Sequence, residues 1–242
     1  MANPSVIFAD TDALNQVLLG NTLRILRELK VQYGIQTIVV PEVEMELLSS
    51  RRFGQRFHSP FKKAVSNGLI KVFEESRYSA ILTSLRAEQP SALGVSYADI
   101  QALGNAFHRR IDLGEAYTLA AAVKLNQPAL SNDYSALKTM QQAGLQVPIT
   151  VLRAYDLIVF AHQVGILDER QCEEFRQTMV TENEFVPARQ KSTSFAKGLP
   201  DFVPRLIDRS RPSASAKRFE DPPPFASPLL VTPLKADAPS DS

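Results

Sequence analysis

Short apolar runs, each stopped by a polar residue or a proline and followed by an amphipathic stretch, alternate along roughly the first 180 residues. This alternation restricts the available folds more than any other feature, because it specifies an α/β domain with a mostly parallel sheet flanked by helices. Val6-Ile7-Phe8-Ala9 is a compact run that stops at Asp10, as a strand buried on both faces does. Thr37-Ile38-Val39-Val40 is a β-branched second strand stopped by Pro41, Pro128-Ala129-Leu130-Ser131 a third, and Gln146–Ile149 a fourth. Between them, Leu14, Val17 and Leu18, then Leu23, Leu26 and Leu29, mark helical faces closed by Gly34. Val43, Leu47 and Leu48 fit the inner face of the next helix. Ser96 with Asp99 is a capping pair that predicts a helix running to about Arg110. An alanine-rich helix is expected over Gly114–Asn126 and another from about Tyr134 to Gly144. Thr150 and Asp168 read as N-caps of two final helices, the second supported by Gln171 at capping-box spacing.

Near residue 181 the composition changes to proline, serine and mixed charge, with Asp221-Pro222-Pro223-Pro224 and a KADAPSDS end. Residues 1–180 therefore read as the folded domain. Residues 181–242 read as a disordered or linker-like tail, exposed from about 187, because such a composition buries too little apolar surface to offset its ordering entropy. Phe195, Phe202, Leu206 and Ile207 are a candidate docking segment within it.

The net charge of +1 supplies no overall field for recruiting nucleic acid or a membrane, so any polyanion must be met by a local patch. One cysteine, Cys172, excludes an internal disulfide framework and a cysteine-cluster metal site, and no two of the three histidines stand at metal-ligand spacing. MANPSVIFAD lacks the basic start and long apolar stretch of a signal peptide, and no apolar segment is long enough to span a bilayer, so a soluble, cytoplasmic protein is expected. Chemistry in this chain has to rest on carboxylates.

Ligands of open parallel sheets bind beyond the carboxyl ends of the strands. Asp10 directly follows the first strand and Asp133 closely follows the strand at Ala129–Ser131, so both project from one edge. Glu46 lies in the helix after Pro41 and Glu115 in the first turn of the helix opened by Leu113-Gly114. The spacing allows the four to converge. Taken singly, an aspartate at a strand end is more often a helix cap, and a helical glutamate is usually a solvated residue. Gathered in one pocket, four carboxylates repel one another unless a cation such as Mg²⁺ or Mn²⁺ joins them through hard oxygen ligands.

In order along the chain, VIFADTDAL at 6–14, VVPEVEMELL at 39–48, LGEAYTLAAA at 113–122 and LSNDYSALKTMQQAG at 130–144 resemble the PIN-domain family, named for a PilT N-terminal segment. The resemblance covers roughly residues 5–165. It implies a three-layer PIN-like fold and an endoribonuclease that uses Mg²⁺ or Mn²⁺. It carries the acidic quartet onto Asp10, Glu46, Glu115 and Asp133, with Asp10, Glu115 and Asp133 as metal ligands. Thr11, Ser131 and Asn132 would support these from behind. The implied reaction is attack of a metal-activated water on the scissile phosphate. Because the family includes the toxins of many prokaryotic toxin–antitoxin pairs, RNA, a cognate antitoxin protein and a second copy of the chain are the partners it suggests. The long interval from Glu46 to Glu115 predicts an enlarged helical insertion. Glu42 and Glu44 compete with Glu46, and Asp12 and Asp112 are alternatives or supplements to their neighbours.

A cationic stretch bears on substrate. Arg51, Arg52, Arg56, Lys62 and Lys63 interleave with Phe53, Phe57 and Phe61, a combination that grips phosphates and stacks bases of single-stranded nucleic acid. The alternative is a solvated helix–loop whose phenylalanines face the core. Arg109 and Arg110 precede the Glu115 helix and are positioned to line the same cleft. Two rival functions are a catalytically silent PIN-like RNA-binding or interaction module and a haloacid-dehalogenase-like phosphatase. The phosphatase is suggested by Asp10-x-Asp12 but lacks the Gly-Thr and Gly-Asp-x-x-x-Asp that should follow. Walker and dinucleotide glycine motifs are absent.

Overall fold

The computed structural model describes residues 6–202 apart from 21, 50–56, 74–93, 146, 148 and 201. A five-stranded parallel sheet forms the middle layer, in the order β3-β2-β1-β4-β5, with helices packed around it. Its strands are β1 (Val6–Ala9), β2 (Gln36–Val39), β3 (Ile70–Val72), β4 (Ala129–Leu130) and β5 (Val151–Leu152). β1 is buried along its whole length, which explains its uninterrupted apolar run: a central parallel strand has no polar face. Phe8 pairs with Ile38 on one side and with Ala129 on the other.

The chain builds outward from β1 through β2 to β3, then returns to lay β4 against the other side of β1. The strand order therefore reverses between β1 and β4. At such a reversal the connections leave the sheet in opposite directions and open a crevice at the carboxyl edge. The amide of Asp10 donates to the carbonyl of Leu130 at 2.9 Å, and that of Ser131 to Leu152 at 2.8 Å, so both residues stand at this crevice.

The helices in chain order are α1 (Thr11–Leu19), α2 (Leu23–Tyr33), α3 (Pro41–Ser49), α4 (His58–Ser66), α5 (Tyr97–His108), α6 (Leu113–Leu125), α7 (Tyr134–Gln142), α8 (Ala154–Gln163), α9 (Glu169–Thr181), and the short α10 (Ala188–Lys191) and α11 (Phe195–Gly198). α2 ends at Gly34 in the left-handed conformation (φ 69°), the usual way a helix stops before a strand. α6 is apolar on all sides, with Ala116, Leu119, Ala120, Ala121, Ala122 and Leu125 buried. A helix of that composition belongs in the interior, and it carries Glu115 inside with it. Gly104 of α5 lets the two helices close up, since a Cβ there would lie 2.9 Å from the Tyr117 ring. No helix among the described residues is long and apolar enough to cross a membrane.

Three expectations need correction. The insertion between Glu46 and Glu115 is not purely helical: it contributes β3, an edge strand whose Ile70 and Val72 face inward while Lys71 faces solvent. Three residues are too short a run to register as a strand before they are paired. The last strand among the described residues is Val151–Leu152; of the expected strand at 146–149, residues 146 and 148 lie outside the described residues and Val147 and Ile149 are not in a strand, and Thr150 is not a helix cap. Its carbonyl instead accepts from Ala129, and α8 starts from Arg153, whose backbone amide donates to Asp156 at 2.8 Å.

The third correction concerns the tail. Val186, Gln190 and Phe195 are buried, and the side chains of Phe195 and Phe202 pack on Tyr155 with ring centroids 6.3 and 5.6 Å away. The Glu173 carboxylate receives the Phe195 amide at 2.6 Å and the Arg176 guanidinium at 2.6 Å. The described residues through 202 thus belong to the folded unit: a polar segment stays attached when a few aromatic anchors find a cleft. Leu206, Ile207 and the stretch from 203 onward lie outside the described residues.

Candidate metal centre

Asp10 occupies the N-cap position of α1 in an extended conformation, yet its side chain makes no well-formed capping bond. It is buried, and burial raises its pKa to about 7, with the charge of Asp12 next in effect and that of Glu46 contributing. The amides of Thr11 and Asp12 pull the other way without reversing the shift.

Glu115, in the first turn of α6, is also buried, and its pKa rises to about 9 through burial first and the charge of Asp10 second. Asp133 and Asp12 add to the rise, and a hydrogen bond from the Ser131 hydroxyl at 2.8 Å opposes it. Two carboxyls removed from water and near enough for the charge of one to act on the other cannot both ionise cheaply without a counter-charge.

Asp133 uses Oδ1 to accept the Ser135 amide at 2.7 Å, the Ser135 hydroxyl at 2.6 Å and the Ala136 amide at 3.2 Å, so it caps α7, and its charge acts on Glu115. Its own amide donates to Ser131 Oγ at 3.2 Å. Asn132 turns the other way, accepting the Ala154 amide at 3.0 Å and joining β4 to the start of α8.

Glu46 reaches from α3 between two elements. Its Oε2 accepts the Thr11 hydroxyl at 2.5 Å and its Oε1 the Gly114 amide at 3.0 Å. The structure therefore brings Asp10, Glu46, Glu115 and Asp133 into one electrostatic neighbourhood and adds Asp12 to it. Glu42 lies near Glu46 and Tyr117, with its pKa raised by burial, and Asp112 is an exposed N-cap of α6. Among the described residues no three His, Cys, Asp or Glu side chains close tightly enough to form a complete ligand set.

The donor chemistry is all oxygen: carboxylates backed by the hydroxyls of Thr11 and Ser131. Together with the raised pKa values of the buried Asp10 and Glu115, this suits a hard divalent cation, which would favour the ionised form of each acid. Asp12 and the Glu46–Gly114 bond are the parts that sequence reasoning left open or missed. The glycine in LGEA was the available signal for the second.

Of the cationic stretch, Phe57 and Phe61 are in the core, as the alternative of core-facing phenylalanines has it, and not free to stack bases. Lys62 and Lys63 are exposed on α4; Arg51, Arg52, Phe53 and Arg56 lie outside the described residues. Arg109 and Arg110 are exposed just ahead of α6, whose first turn carries Glu115. Compared with known proteins, the chain matches no protein-family profile and no curated sequence significantly.

Proposed function

We propose that this protein is a divalent-cation-dependent endoribonuclease of the PIN type whose centre is the crevice between β1 and β4. The observation that carries the reading is the pair of buried carboxyls, Asp10 and Glu115, raised to about 7 and about 9 where the strand order reverses. Active sites regularly shift carboxyls by burial and by neighbouring like charge, and such groups in a crevice mark a functional-site candidate. The four resembling segments supply the nuclease assignment and its RNA substrate.

Asp10, Glu115 and Asp133 would hold the ion. Mg²⁺ or Mn²⁺, when bound, supplies Lewis acidity that activates water and neutralises charge on phosphate. The protein's own part is orientation: Ser131 fixes Glu115 through its hydroxyl, and the Ser135 and Ala136 amides fix Asp133. Exposed Lys62, Lys63, Arg109 and Arg110 would attract the phosphate backbone.

Asp10→Asn keeps size and removes one charge. Asp10→Asn and Asp133→Asn proteins are expected to bind RNA with near-native or tighter affinity while Mn²⁺-stimulated cleavage falls at least about a hundredfold. EDTA should silence the wild type. Wild-type protein that binds RNA without any Mn²⁺-stimulated cleavage would favour the silent module, and cleavage that persists in EDTA would refute the mechanism.

A further inference from the structure

Glu46 stands apart from the other acids in how its carboxylate is used. Each oxygen takes a donor from a different helix, the Thr11 hydroxyl at the start of α1 and the Gly114 amide at the start of α6. Thr11 is the neighbour of Asp10, and Gly114 is the neighbour of Glu115. One side chain thus spans the two backbone positions next to the buried pair.

The Gly114 amide is one of the leading helix donors that have no partner within α6. Asp112, at the N-cap, would ordinarily satisfy such a donor from within the segment but makes no side-chain capping bond. Glu46 supplies the cap from another helix, and its negative charge suits the positive end of α6. Gly114 is a glycine for reasons of space: a Cβ would fall 2.7–2.9 Å from all three carboxylate atoms of Glu46. Any side chain at 114 would unseat the carboxylate.

We propose that Glu46 is a positioning residue that sets the separation of Asp10 and Glu115 by bracing α1 against α6, and that it is not itself a ligand. The metal arm of the test rests on the nuclease reading above; the stability arm does not.

Glu46→Gln can keep both contacts, its carbonyl accepting from Gly114 and its NH₂ donating to the Thr11 oxygen, so bracing survives while charge is lost. Glu46→Ala loses both. Mn²⁺ binding to the full chain, followed by calorimetry, should weaken less than about threefold in Glu46→Gln and about 10–100-fold in Glu46→Ala, the usual cost of losing a group that orients a ligand. Glu46→Gln losing as much affinity as Asp10→Asn would make Glu46 a ligand and overturn the proposal.

Independently, Gly114→Ala should lower the metal-free melting temperature in the wild type and have little effect in the Glu46→Ala background, because the clash is with Glu46. Simple additivity of the two substitutions would overturn the brace. Should the wild type bind no Mn²⁺, the nuclease reading falls, and the brace is judged on this cycle alone.

Discussion

A carboxyl whose pKa is raised on folding holds its proton more tightly in the folded chain than in the unfolded one. Asp10 moves from 3.8 to about 7 and Glu115 from 4.5 to about 9. Their contribution is complete below the unfolded values and is lost as pH rises through the folded ones. Metal-free protein should therefore lose melting temperature between about pH 4 and about pH 9. Asp10→Asn and Glu115→Gln should each flatten that slope, since a neutral amide has nothing to ionise. Divalent cation should restore most stability at the alkaline end, where both acids bind it best. Wild type and variants with superimposable pH profiles in EDTA would show that neither carboxyl is perturbed. That Asp10 and Asp133 share an edge was legible from the strands they follow. The size of the shifts was not, because burial depends on α6 lying inside the molecule.

Helix boundaries set by capping boxes were the most readable elements. Ser96 with Asp99 and Asp168 with Gln171 both form the reciprocal bonds their spacing predicts, because every atom involved is within one turn. Asp168→Ala should cost about 1 kcal/mol, measured by denaturant unfolding, since the Gln171 amide loses its 2.7 Å acceptor. No change would mean that the α9 start is held by packing alone. Gly20 shows a different kind of constraint at the end of α1. A methyl group there would collide with the ring of Phe175, which is fully buried and has no room to retreat. Gly20→Ala should cost about 1–3 kcal/mol, as overpacking does. Strand β3 was unread because three residues carry no periodicity, and β5 was placed a few residues early because two residues do not fix their own bounds. Their identity comes from partners far away in the chain, Thr37 for Ile70 and Ala129 for Val151.

The molecule as a whole is closed by the segment that composition assigned to a tail. The Phe185 carbonyl accepts from Gln16 of α1, and Arg153, paired with Asp156 at 2.6 Å, lies 5.7 Å from both the Phe185 and Phe202 ring centres. Glu173, drawn down to about 2 chiefly by the Arg176 hydrogen bonds, anchors α9 to Phe195. Phe195→Ala should therefore cost about 3–5 kcal/mol, and a chain ending at Glu182 should unfold at lower denaturant than the full protein. Unfolding midpoints unchanged by either would restore the boundary near residue 181.

Local chemistry was sufficient for the parallel α/β class, the edge on which Asp10 and Asp133 sit, and the helix starts, since each depends on neighbours a few residues apart. Two things were settled only when the chain packed. Glu46 became the cap of a helix far along the chain, and the described residues of 186–202 became part of the domain. In each case the deciding partner is distant in sequence: Gly114 for Glu46, and Tyr155 and Glu173 for Phe195. Composition registers how much apolar surface a segment owns, whereas attachment depends on whether a few of its side chains meet a cleft already built by the rest.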